Sequence, residues 1–125
     1  LLAPTTYMFI QAYIIAARPH DRETAHSLAE YICELVLLHH TVALKYKPSM
    51  LAAAAVSLAC YTLNEAEWSN ALTLHTGYMY EELLQCREEL QVMHRSSSTL
   101  QQQAIQEKFR STQHKSVANI QPRTY

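Results

Sequence analysis

Apolar side chains at Phe9, Ile10, Tyr13, Ile14 and Ala17 recur at spacings of three and four, which lines one face of an α-helix. Thr5 or Thr6 can cap its amino end, and Arg18-Pro19-His20 ends it because proline has no amide proton to continue the ladder. A second helix starts at Asp21 as cap, with Glu23 in its first turn where the dipole favours an acid. Leu28, Tyr31, Ile32, Leu35, Val36 and Leu38 form its core face, Glu30 and Glu34 lie opposite, and it frays near His39-His40. Pro48 opens a third helix running through Met50 to Tyr61 with almost no polar face. A helix apolar on all sides is buried on several, so this Ala-rich segment is read as the central one.

Ser69 caps a short fourth helix ended by Gly77, and a fifth runs from about Tyr80 to His94 with Leu83, Cys86, Leu90 and Met93 on one face. After Arg95-Ser96-Ser97-Ser98, Thr99 caps a weaker sixth helix, Leu100 to about Phe109, expected to bury Leu100, Ala104, Ile105 and Phe109. Periodicity then stops, and residues 110–125 read as a tail. The pattern predicts an all-α fold: a five-helix bundle around the Ala-rich helix, with a short sixth helix and the tail.

Composition sharpens this. The 125 residues contain one glycine. Phosphate-cradling loops and dinucleotide turns need several residues that tolerate positive φ, so Gly77 alone excludes them. The length suits one domain, and the missing initiator methionine suggests a part of a longer protein. The uncharged run Leu1 to Ala17 lacks the basic start of a signal peptide, and no segment has the uniform apolar length of a membrane span, so no membrane partner is expected. Cys33, Cys60 and Cys86 are odd in number, far apart and set among apolar neighbours, which favours buried thiols in a reducing, intracellular compartment.

Charge divides the chain. Residues 1–89 carry five basic and ten acidic side chains, and residues 90–125 carry five basic and one acidic. A tail lying back on an acidic body is the favoured reading over a nucleic-acid arm, because five dispersed bases and a net charge of -1 make a poor phosphate-binding surface.

No candidate for catalysis, metal or cofactor binding emerges. The seven histidines, at 20, 26, 39, 40, 75, 94 and 114, show no spacing that puts two ligands on one helix face. His39 and His40, the pair a hydrolase would use, point about 100° apart on a helix. Glu65, Glu67, Glu81 and Glu82 are expected to be solvated acids of a loop and a helix start. Trp68, with Tyr78 and Tyr80 following, is read as a core anchor beneath a loop in preference to an exposed aromatic patch.

Lys47-Pro48-Ser49-Met50-Leu51-Ala52-Ala53-Ala54-Ala55 resembles the central helix of the C-terminal cyclin box of mitotic (A/B-type) cyclins. The likeness continues in order through Pro4 to Phe9, Ala29 to Leu35, Leu63 to Ser69, His75 to Tyr78, Glu81 to Leu84, Glu107 to Ser111 and Val117-Ala118, with Phe109 where the family usually has tyrosine. It implies a cyclin box over residues 1–109 and a C-terminal extension over 110–125. The implied function is that of a non-enzymatic regulatory subunit fragment, nuclear and cytoplasmic. Such a fragment supports activation of a cyclin-dependent protein kinase and packs against the N-terminal cyclin box of the same protein. A helical module of transcription-factor type, binding nucleic acid or protein, is the alternative. The resemblance makes the useful residues structural: Ala54 and Ala55 at helix contacts, Trp68 and Tyr78 under the loop, and Phe109 anchoring the tail.

Overall fold

The computed structural model describes residues 5–38, 40–95, 105, 107–109 and 117–120, with side chains at all of these except His40 and Asn119. Its helices are α1 (Thr6–Ala17), α2 (Arg22–Leu37), α3 (His40–Lys45), α4 (Pro48–Thr62), α5 (Asn70–Thr76) and α6 (Tyr80–Arg95), and a 3-10 turn covers Val117–Asn119. Among the described residues there is no strand, and no helix is long and apolar enough to cross a membrane.

Local chemistry sets the helix ends. Thr5 Oγ1 accepts the Met8 amide at 3.3 Å, Asp21 Oδ1 accepts the Thr24 amide at 3.1 Å, and Ser69 Oγ accepts the Leu72 amide at 3.3 Å, so three orphan donors are satisfied by side-chain caps. At α4 the proline at the first turn replaces such a cap, since it has no amide to satisfy. Arg18 and Gly77 end α1 and α5 in the left-handed region, with φ of 52° and 77°.

Gly77 is the terminator anticipated for the chain's one glycine, its amide bonding to the Thr73 carbonyl at 2.9 Å. A methyl group added there meets no atom within 4 Å, so Gly77→Ala is penalised by backbone conformation alone. The expected loss is about 1 kcal/mol, read in a urea melt; a raised midpoint would show that the left-handed turn does not need glycine.

α4 is the axis of the domain. Ala52, Ala53, Ala54 and Ala55 are fully buried, and α1, α2 and α6 all pack on this helix. Small side chains let three neighbours approach it at once, while Ile10, Ile14, Leu28, Ile32, Leu35, Leu83 and Leu90 fill the spaces between them. Ala54→Leu therefore adds volume where there is none to take it, and should lower stability by about 1 to 3 kcal/mol. An unchanged chemical-denaturation midpoint would overturn the close-packing account.

The structure departs from the sequence expectations in five places. Residues 40–45 form α3, where only a fraying end of α2 was expected; with six residues and few apolar positions it has too little length to show a period. On α1 Ala16 is buried, whereas Phe9 and Ala17 are half-buried and Ile15 is exposed, because α1 is covered from the α2 and α5 sides as well as by α4. On α2 Leu38 is half-buried at the cap. In the sixth segment Leu100 and Ala104 lie outside the described residues; Ile105 and residues 107–109 are helical, with Ile105 half-buried and Phe109 buried. Val117, in the segment read as an aperiodic tail, is fully buried, and its 3-10 turn packs on α2.

Candidate functional site

A shallow cleft of about 490 Å³ lies at the corner between α4 and α5, lined by Ala66, Glu67, Trp68, Ser69, Asn70, Thr73 and Tyr80. The loop after α4 turns sharply at Asn64, whose φ of 60° suits a short amide side chain, and then runs to the Ser69 cap. Trp68 is half-buried, and its indole Nε1 donates to Thr73 Oγ1 at 3.0 Å. The ring packs against the hydrophobic core, in keeping with an anchor beneath the loop, and its half-exposed side also forms a wall of the cleft. Hydrogen bonding to the first turns of α5 holds it at the surface. Tyr80 shares the cleft with Trp68, whereas Tyr78 faces elsewhere: its hydroxyl pairs with Ser49 Oγ at 2.8 Å, joining the α5–α6 link to the start of α4.

A buried ion pair lies beside this cleft. Arg87, only 1% exposed, places Nε against Glu67 Oε1, and its guanidinium lies 4.7 Å from the centre of the Tyr61 ring. Tyr80 donates to the same Glu67 oxygen at 2.7 Å, and burial followed by this hydrogen bond pushes the phenol up to about 12. Glu67, expected to be a solvated acid, instead fixes the loop to α6. Glu65 is likewise engaged, accepting the His20 amide at 2.9 Å and so tying the α1–α2 turn to the same loop. Sequence reasoning passed over Arg87 because of its charge, although it lies four residues after Leu83 and three before Leu90, on the buried stripe of α6.

The same stripe carries His94, which is buried with its ring edge-on to Tyr31 at 5.8 Å. Burial, aided by Arg95, depresses its pKa from 6.5 to about 4. A depressed histidine favours the native state fully above pH 6.5 and progressively less below, because the unfolded chain takes up a proton that the native chain refuses. Stability should fall by about 3 kcal/mol between pH 7 and pH 4 from this group. His94→Leu should flatten that part of the pH profile, and a wild-type slope left unchanged would remove His94 as its source.

On the opposite side of α6, Glu89 accepts from Tyr46 Oη and from Lys45 Nζ, the latter at 2.9 Å, so α3 is clamped to α6. Burial raises the Glu89 pKa, but these two donors outweigh it and leave the carboxyl below its ordinary value.

Cys33, Cys60 and Cys86 are buried free thiols; burial pushes Cys60 and Cys86 up to about 12 and Cys33 higher, which keeps them protonated. Among the described residues no three His, Cys, Asp or Glu side chains gather where a metal could sit. His39 lies outside the described residues, and only the backbone of His40 is described. The arrangement holds loops against a packed bundle and presents surface for contact.

The family description "Cyclin, C-terminal domain" matches residues 4–123, which is nearly the whole chain. The chain belongs to the cyclin C-terminal domain family. This cyclin domain is 35% identical to a G2/mitotic-specific cyclin-A of Hydra viridissima over 122 residues, 98% of its own length and 29% of that protein's. It is 37% identical to Cyclin-A1 of Homo sapiens, covering 98% of this chain and 26% of the relative, and 35% identical to Cyclin-A2 of Gallus gallus, covering 96% and 30%. The cyclin domain thus spans less than a third of the curated relatives it matches. Its all-helical fold around an Ala-rich helix agrees with that assignment.

Proposed function

We propose that this domain is the C-terminal cyclin box of a mitotic-type cyclin which, as an intact polypeptide, binds and activates a cyclin-dependent protein kinase in cell-cycle control. The observation that carries the reading is identity of about 35% to cyclin-A proteins along 98% of the chain. Within that protein the domain acts as a rigid, non-catalytic scaffold packed against the N-terminal cyclin box, with kinase contacts made mainly by that first box. Residues 1–109 form the box and 110–125 its C-terminal extension, and the protein works in nucleus and cytoplasm. The polar clamps support this reading, since the buried Arg87 with Glu67 and the half-exposed pairs Lys45–Glu89 and Lys108–Glu34 each tie separate segments of the chain into one body.

Co-purification with candidate cyclin-dependent kinases, comparing the intact polypeptide with this domain alone, tests the proposal. Binding and kinase stimulation by the intact polypeptide alone is the expected result. Failure of the intact polypeptide to bind any such kinase would overturn it.

A further inference from the structure

The cleft at the corner between α4 and α5 has the chemistry of a cation site. Two aromatic rings, Trp68 and Tyr80, form part of its lining, and each is half-buried, so each keeps ring surface open to solvent. The hydrogen bond from the indole to Thr73 fixes the plane of Trp68 before anything binds. Glu67 shares the lining with its side chain 24% exposed. Its contacts with Arg87 and Tyr80 both fall on Oε1, which leaves Oε2 to accept from a second cation. The side-chain oxygen of the exposed Asn70 is a further acceptor. Among the described residues that line the cleft none is a base. Arg87 lies beneath, but it is 1% exposed and faces Glu67 and the Tyr61 ring. Around it, residues 61–85 carry Glu65, Glu67, Glu81 and Glu82, a single histidine, and neither lysine nor arginine. Acid is therefore in excess here even after Arg87 is counted.

We propose that this cleft binds an arginine side chain presented by an extended segment of a partner protein, with the guanidinium stacked on Trp68 and its N–H groups donating to Glu67 and Asn70. Charge and ring chemistry select a cation, because the faces of Trp and Tyr carry negative electrostatic potential and the surrounding side chains add carboxylates. Shape then separates arginine from lysine. A shallow cleft leaves its occupant partly in water, where a planar, weakly hydrated guanidinium stacks well and a compact, strongly hydrated ammonium keeps its own water. Size argues for a peptide, since a guanidinium fills only a small part of 490 Å³ and the remainder takes the chain on either side of it. Tryptophan, tyrosine and arginine are also the residues on which contact energy concentrates at protein interfaces. The site lies outside the scaffold role proposed above and does not depend on it.

Trp68 is the one tryptophan of this domain, so it reports on the cleft itself. With 5-fluorotryptophan incorporated into the intact polypeptide, its fluorine resonance is assigned by its loss in Trp68→Phe. Acetyl-Gly-Arg-Gly amide should move that resonance saturably and bind roughly tenfold more tightly than the lysine peptide. The citrulline peptide, which keeps the shape of arginine without its charge, should leave the resonance in place. Asn70→Arg sets a fixed cation at an exposed position of the lining, and should weaken arginine-peptide binding roughly tenfold with the urea midpoint unchanged. A resonance that stays still, or drifts with peptide concentration without saturating, would overturn the proposal. Equal binding of the citrulline peptide would show that charge is not read, and equal binding of the lysine peptide that the planar group is not; either result overturns it. These comparisons use the wild-type polypeptide and decide the matter even if Asn70→Arg folds poorly. Full binding to a folded Asn70→Arg would place the peptide elsewhere and overturn the proposal as well.

Discussion

Arg87→Ala is expected to lower stability by about 3 to 5 kcal/mol, the loss typical of breaking a buried ion pair from one side. The guanidinium is 1% exposed and is held between Glu67 and the Tyr61 ring. Its removal leaves a void beneath the loop and takes the cationic partner from Glu67, while the Tyr80 hydrogen bond remains to that carboxylate. Arg87→Met, which fills much of the same space without charge, should recover part of the packing but not the pairing. Combining it with Glu67→Gln should then be less harmful than the two single losses added together, a coupling that a double-mutant cycle of urea melts measures. Arg87→Lys should rescue poorly, since an ammonium lacks the planar group that lies against Tyr61. A loss below about 1 kcal/mol for Arg87→Ala would show that the clamp is dispensable.

Phe109→Ala should have an effect of similar size, about 3 to 5 kcal/mol. Its ring is 1% exposed and lies 5.4 Å from that of Tyr31, which in turn meets His94, so one aromatic cluster joins α2, α6 and the segment leading to the C-terminus. Beside it Lys108 reaches Glu34 of α2 at 2.7 Å. Removing the phenyl ring takes away the largest apolar contact that residues 107–109 make and leaves them the half-exposed Lys108–Glu34 ion pair, worth little by itself. Calorimetry should record the loss, and limited proteolysis should cut the chain beyond residue 109 faster than in the wild type. A variant with unchanged melting temperature and cleavage rate would show that the terminal segment is held elsewhere.

Elements with long apolar periods or explicit end signals were legible in the sequence. The Thr5, Asp21 and Ser69 caps, Pro48 at the first turn of α4 and the left-handed Gly77 all stand where residue chemistry alone places them. The small-residue run 52–55 likewise announces a helix buried on several sides. What remained hidden depends on contacts between distant segments. Glu67 and Arg87 are twenty positions apart, and each taken singly is a polar residue expected in water; only the meeting of the loop with α6 makes burial tolerable. Trp68 packs on the core as its place before a cap suggests, but its second role as a cleft wall depends on the Thr73 hydroxyl that its indole finds. Val117 has no periodic neighbours to betray it, although α2 buries it completely.

The central place of α4 also governs when this chain can acquire structure during synthesis. α1 and α2 emerge from the ribosome first, but both rest on α4, and α4 is closed on another side by α6. A nascent chain ending before Pro48 has the apolar α1 and the amphipathic α2 with no complete surface to cover them. At about 5 to 20 residues per second, the interval from the end of α1 to the end of α6 lasts roughly 4 to 16 s. Through that window the future core is open to chaperones and to neighbouring nascent chains, so folding is expected to occur late and as one event. Mutations in α4 should therefore reduce the yield of the newly made protein more than those in α3, even where the finished molecules are equally stable.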